Sequence, residues 1–301
     1  MDFPVAKCAV LSLLGKVSPR ELPKLIQWLK TTNDFDELVW ENNDVILQNI
    51  AEDLRSCMPM DGMLDSEHRA IEKMQQNPVP TIHVDAFLYC DDFVDTLCEE
   101  GKMSRHYCAT CGSHQIAPLE FLSHSFSRVE LKFLYQHVLP DLTGKILIDT
   151  GSRLGAVLFG GYLYSSAAQL QGVEINAEFC RLQEMILRKY HFADRIQVIH
   201  ADVCTQASLL QAADVIVLNN VFEYFLEETE QSRAWIYISN NVRKKGTFLV
   251  TVPSLEESLH SLQTGIDLSQ WVKEVQLDYN VYIGKETDEE SLSHIHLYQV
   301  L

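Results

Sequence analysis

Hydrophobic positions follow two different rhythms along this chain. Up to about residue 76 they recur at helical spacing. Leu22, Leu25, Ile26 and Leu29 form one such set, preceded by Ser18-Pro19-Arg20-Glu21, which reads as a capping box with proline at the first helical position. Val45, Ile46, Ile50 and Leu54 form another and predict a helix from about Asp34 to Arg55, broken by Met58–Gly62. A third helix is expected over Ser66–Gln76. It stops at Asn77-Pro78-Val79-Pro80, a stiff stretch that predicts the end of an N-terminal helical region spanning residues 1–80. Residues 81–120 read as a connector, with a short extended piece at Thr81–Leu88 and a helix at Asp91–Glu100. A further helix is expected over Pro118–Leu139, leading into the last and largest region, residues 121–301.

From Lys145 the rhythm changes to short apolar runs alternating with amphipathic ones. Strands are predicted at Lys145–Thr150, Gln169–Ile175, Ile196–Val203, Ala213–Asn219 and Thr247–Val252. Helices are predicted at Gly155–Ser166, Ala177–His191, Thr229–Val242 and Ser254–Gln263. Such alternation implies right-handed crossovers and a parallel sheet. The tail departs from it: Trp271–Val281 and His294–Leu301 are both strand-like and flank an acidic loop, which suits an antiparallel hairpin. The fold class is therefore α/β, a seven-stranded, mostly parallel, Rossmann-like sheet closed by an antiparallel C-terminal hairpin, with a mainly helical region before it.

With 301 residues, 47 % of them hydrophobic, the chain can bury a substantial core. Its longest apolar run, around Leu209–Leu218, is too short and interrupted to span a bilayer, so no membrane partner is expected. The apolar patch near the N-terminus lacks a preceding basic segment, which argues against export. Eight scattered cysteines suit reduced thiols and a cytoplasmic or nuclear location. The net charge of −18 disfavours nonspecific DNA binding, which needs clustered Lys and Arg, and suits a protein partner of basic character or a neutral small molecule.

The chemistry concentrates in Lys145–Gly155, KILIDTGSRLG, and in QLQGVEIN about twenty residues on. An apolar run ends at Asp149 and a glycine turn; a second ends at Glu174. That is the outline of a nucleotide-type ligand lying across the carboxyl ends of two parallel strands, with the carboxylate accepting from ribose hydroxyls.

Together with the terminal hairpin, these motifs resemble the class I S-adenosylmethionine-dependent methyltransferases, over roughly Phe121 to Leu301. The family's first motif is acid-x-Gly-x-Gly-x-Gly. Asp149, Gly151 and Gly155 match it, and Arg153 stands where the central glycine is usual. The resemblance implies that S-adenosyl-L-methionine is the cofactor and that Asp149 anchors its amino group. Gly151 and Ser152 then allow close backbone approach, and Arg153 either crowds the ligand or aims its guanidinium at the methionine carboxylate. Glu174 takes the ribose, Ile175 lies against the adenine, and Asp202, in Ala201-Asp202-Val203, accepts from the exocyclic amine. A plain helix cap is the structural alternative for Asp202. An NAD-dependent oxidoreductase is disfavoured by the hairpin and the poor GxGxxG match.

The fourth strand ends in ADVIVLNNVFEYF. Asn219-Asn220-Val221-Phe222 resembles the Asn/Asp-Pro-Pro-aromatic motif of amino-group methyltransferases, without its prolines. It is also similar to the Asn-Asn-Phe segment of the non-SET histone-lysine methyltransferases. In a competing alignment, Asn220 and Glu223 match a looser Asn-x-x-Glu. The structural alternative has Asn219 and Asn220 capping the next helix while Phe222 and Phe225 fill core. The resemblance implies methyl transfer with Asn219, Asn220 and Phe222 at the acceptor, a protein nitrogen ranking ahead of RNA and a small metabolite. Its non-enzymatic rival is an inactive cofactor-binding relative serving as sensor or scaffold.

Cys90, Cys98, His106, Cys108, Cys111, His114 and His124 crowd into 35 positions. Cys108-Ala109-Thr110-Cys111-Gly112 has the knuckle form that turns two thiolates onto one metal, with Cys98 and His114 as candidates to complete a zinc site. The alternative is a tight turn with two small semi-buried thiols. Segments just before the first strand often form a lid in this family, and His124–Ser127 with the helix after it is the candidate here.

Overall fold

A computed structural model of the protein describes residues 3–32, 34–58, 85–89, 91–100, 125–223, 226–282 and 292–301. The chain divides into two compact units, Met1–Val45 and Ile46–Leu301. The predicted third helix and the Asn77–Pro80 junction lie outside the described residues.

The first unit contains helices α1 (Phe3–Leu14) and α2 (Leu22–Thr31) and the start of α3 (Asp34–Arg55). The capping box expected at Ser18 does not form. Glu21 is the N-cap, with helical dihedrals and no side-chain cap, because the Ser18 carbonyl takes the Glu21 and Leu22 N–H groups in a turn. Proline still sits in the first turn, as Pro23, where its missing N–H costs no helical bond. Helix α1 went unpredicted because its apolar residues follow no single face: Val5, Val10, Leu11 and Leu13 are all exposed.

The second unit is built on one sheet. Strands β1 (Ile146–Thr150), β2 (Gln169–Glu174), β3 (Ile196–His200), β4 (Val215–Asn219) and β5 (Phe248–Val252) are followed by β6 (Val272–Val275) and β7 (His296–Val300). Their order is β3-β2-β1-β4-β5-β7-β6. The first five are parallel, and β7 runs antiparallel between β5 and β6. The hairpin thus closes the sheet as expected, but its first arm is much shorter than Trp271–Val281, giving way to a 3-10 turn at Tyr279–Tyr282.

Alternate residues of each strand feed opposite cores, as a pleat requires. Leu147, Leu170, Val217 and Val250 join the core that also holds Leu47, Ile50 and Leu54 from the end of α3. Ile148, Val173, Ile216 and Leu249 join the other. Helix α4 (Asp91–Glu99) precedes the sheet, and α5 (Arg128–Phe133) enters it through a capping box between Ser127 and Glu130. The predicted Pro118–Leu139 helix is described only from Ser125 onward, and within that stretch it begins at Arg128. Helices α6 (Ala156–Tyr164), α7 (Ala177–Tyr190), α8 (Ala207–Ala212), α9 (Glu228–Asn241), α10 (Leu255–Leu259) and α11 (Leu268–Trp271) follow among the described residues. No described helix is long and apolar enough to cross a membrane.

Candidate functional site

The chain leaves β1 at Thr150 and turns through Gly151–Gly155 into α6. Three residues of this turn are left-handed: Gly151 (φ +66°), Arg153 (φ +44°) and Gly155 (φ +85°). Gly155 is required twice over, because a Cβ there would also lie 2.8 Å from Phe159 Cζ. Strand β2 runs directly beneath: a Cβ on Gly172 would lie 2.6 Å from Ser152 Oγ. The turn spends its donors on that neighbour. Gly151 and Ser152 N–H donate to the Val173 carbonyl at 2.8 and 3.1 Å, and Gly155 N–H donates to the Ser152 carbonyl at 2.7 Å. Arg153 N–H donates to Glu174 Oε2 at 2.7 Å.

Glu174 ends β2 as the spacing predicts. Its other oxygen accepts from Asn176 N–H at 2.7 Å, so this buried carboxylate ties the turn to the start of α7. Asp149 is buried one strand over. Burial, and then the charge of Glu174, push its carboxyl well above the usual carboxylate range. Burial and Asp149 in turn raise the Tyr135 phenol.

Above the strand ends lies a cleft of about 670 Å³. It opens where the strand order reverses between β1 and β4, the usual place for a ligand in an open parallel sheet. Gly151, Arg153, Glu174, Ile175, Asp202, Val203, Asn219, Asn220 and Phe222 all line it. Asp149, Ser152 and Gly155 are placed behind the wall rather than in it. Ile175 is 68 % exposed, an apolar side chain offered to the cleft at the tip of a strand. Asp202 does cap a short 3-10 turn, accepting from Cys204 N–H at 2.8 Å, and it also faces the cleft.

Arg153 does not plug this space. Its side chain is 8 % exposed, its Nε lies 3.6 Å from Asp85 Oδ2, and its guanidinium sits 4.8 Å above the Phe179 ring. Asp85 is itself anchored by the N–H groups of Phe87 and Leu88 and by the Ser125 hydroxyl at 2.6 Å.

No family model and no curated protein matches the chain. Among solved structures it is similar to an RNA methyltransferase from Salinibacter ruber in complex with S-adenosyl-L-homocysteine, at 15 % identity and TM-score 0.38, covering 58 % of this chain and 90 % of that one. It is also similar to a precorrin-6y C5,15-methyltransferase from Geobacter metallireducens, at 12 % identity and TM-score 0.38, covering 57 % and 85 %. A methyltransferase from Geobacter sulfurreducens aligns at 11 % identity and TM-score 0.36, covering 57 % and 76 %. Likeness at this level transfers no residue role.

At the end of β4, Asn220 is left-handed (φ +48°) and donates its N–H to the Val252 carbonyl at 2.7 Å. Its side-chain amide donates to Asn219 Oδ1 at 2.9 Å. Neither asparagine caps the following helix, which starts only at Glu228 with Glu227 as N-cap. Glu223 accepts from Phe222 N–H at 3.1 Å. Phe222 is buried, edge-on to Trp235 at 5.5 Å, and shows the cleft only part of its ring. Phe225 lies outside the described residues.

Three contributions escaped the sequence reading. Helix α9 supplies a wall through Glu230, Arg233 and Tyr237. Asp85 steadies Arg153 from 68 residues upstream, with no local pattern to announce it. Gln183 is fully buried beneath the turn; its signal was a lone polar residue on the apolar face between Phe179 and Leu187.

Of the zinc candidates, Cys108, Cys111 and His114 lie outside the described residues, as do His124 and the start of the predicted lid. Cys98 is a half-buried free thiol on α4. Among the described residues, no group of three or more potential ligands could hold a metal.

Proposed function

We propose that the chain is an S-adenosylmethionine-dependent methyltransferase acting on a protein nitrogen. The observation that carries this reading is the meeting, in one cleft at the switch point, of a left-handed glycine turn, the Glu174 carboxylate and an exposed apolar Ile175. The donor set argues for a nucleoside without a pyrophosphate. Dinucleotide sites present the turn's N–H groups to phosphate oxygens; here those of Gly151, Ser152, Arg153 and Gly155 are all consumed internally. The buried carboxyls of Asp149 and Glu174 favour a ligand bearing positive charge nearby, as a sulfonium and an ammonium would.

When bound, this cofactor supplies an electrophilic methyl, so little is asked of the protein beyond placement and exclusion of water. In this reading Glu174 accepts from ribose hydroxyls, Ile175 and Val203 cover the base, and Asp202 accepts from its amine. Asp149 balances the amino-acid tail's ammonium, and Asn219 orients the acceptor. Calorimetry with S-adenosylmethionine and S-adenosylhomocysteine tests the cofactor. Tritiated methyl transfer into extract from cells lacking the protein, comparing wild type with Asn219→Ala, tests the reaction. Absence of heat with either nucleoside overturns the proposal.

A second reading, an inactive cofactor-binding sensor or scaffold, is favoured by one arrangement. Asn219 Oδ1 accepts from Asn220 and Phe222 is turned into the core, so the residues predicted at the acceptor are engaged within the protein. Binding without transfer would select it. Zinc in the 98–114 stretch is a separate proposal, carried by the CxxC knuckle alone and tested by metal analysis with and without Cys108→Ser.

A further inference from the structure

Arg153 keeps the backbone conformation of a glycine without being one. A side chain in the left-handed region strains the backbone, so the surrounding structure must hold it there. The holding contacts are specific. Arg153 N–H is fixed by Glu174, its guanidinium by Asp85 and Phe179, and its carbonyl by the side chain of Gln183. Gln183 is fully buried on α7 and uses both ends of its amide on the turn. Its Nε2 donates to the Arg153 carbonyl at 2.7 Å, and its Oε1 accepts from Ser152 Oγ at 3.1 Å. Its Cγ also fills the space that a Cβ on Gly155 would enter, at 3.2 Å.

The geometry points to Gln183 as a positioning residue for the cofactor turn, one whose importance is created by Arg153. A glycine at position 153 would be comfortable in the left-handed region unaided, so the brace matters because residue 153 carries a side chain. Gln183 touches no ligand; it presets the path of Gly151–Gly155 from behind, and ligand affinity follows that path. The inference rests on the cofactor reading only for its choice of ligand probe.

A double-mutant cycle tests it. Gln183→Leu is made alone and together with Arg153→Gly, and each variant is titrated with S-adenosylhomocysteine. Amide exchange at residues 151–155 is followed in parallel. With Arg153 present, Gln183→Leu is expected to weaken binding at least tenfold and to speed exchange across the turn. In the Arg153→Gly background the same change should cost less than about threefold, a coupling that falls in the range found for residues sharing one network. Equal losses in both backgrounds, or an unchanged affinity in the first, overturn the proposal. Should Gln183→Leu fail to fold, Gln183→Glu serves instead. It keeps the acceptor for Ser152 but lacks the donor to Arg153 until it is protonated, so its affinity should recover as pH falls. If wild type binds neither S-adenosylhomocysteine nor adenosine, the cofactor reading fails, while the exchange cycle still decides the role of Gln183.

Discussion

Asp149 and Glu174 lie at the carboxyl ends of adjacent parallel strands, and the charge of Glu174 adds to burial in holding the Asp149 carboxyl well above its ordinary value of 3.8. A raised folded-state value means that the contribution of Asp149 to stability is present below about pH 4 and is lost as pH rises through the folded-state value. At neutral pH, Asp149→Asn should therefore raise the Tm of the ligand-free protein. The same change should weaken S-adenosylmethionine binding at least tenfold, because the buried carboxylate that balances the ammonium from behind the cleft wall is gone. Thermal melts and titrations at pH 7 check both.

Gly172→Ala should damage the site from beneath. The new methyl would stand 2.6 Å from both Ser152 Oγ and Leu158 Cδ1. Overpacking of this kind costs about 1–3 kcal/mol. The expected result is a lower Tm together with faster amide exchange at residues 151–155.

Ile175 offers the opposite test. It is largely exposed, so Ile175→Ala should leave Tm nearly unchanged. Covering such a side chain with a ligand is worth about 1–2 kcal/mol, so adenosine affinity should fall roughly five- to thirtyfold. A loss of stability without a loss of affinity would remove Ile175 from the base site.

Cys204 lines the cleft, and burial followed by Asp202 pushes its thiol up to about 11. Alkylation of this residue should be slow at pH 7.5, rise about tenfold per pH unit and level off only near pH 11, since the thiolate is the reacting form. Adenosine should slow it further. Peptide mapping after iodoacetamide treatment measures both effects, and fast labelling at neutral pH would contradict the assigned surroundings.

The sequence by itself determined the sheet and its ligand end. Short apolar runs ending at Thr150, Glu174 and Asn219 specify strands by periodicity, and left-handed turns at Gly151 and Gly155 follow from residues that can adopt them, so both are written locally. Local patterns also fixed α3 at Asp34–Arg55. Tertiary structure decided what depends on contacts between distant residues. It turned Arg153 aside onto Asp85 and Phe179, buried Gln183 beneath the turn, set Asp149 behind the cleft and brought α9 up as its far wall. Helix α9 begins at Glu228, one residue from its predicted start, while the asparagines turn to local partners: Asn220 bonds Asn219 and the Val252 carbonyl, and neither caps a helix. Spacing along a chain shows which face a residue occupies, but burial and charge pairing are settled only when strands and helices far apart in sequence come together.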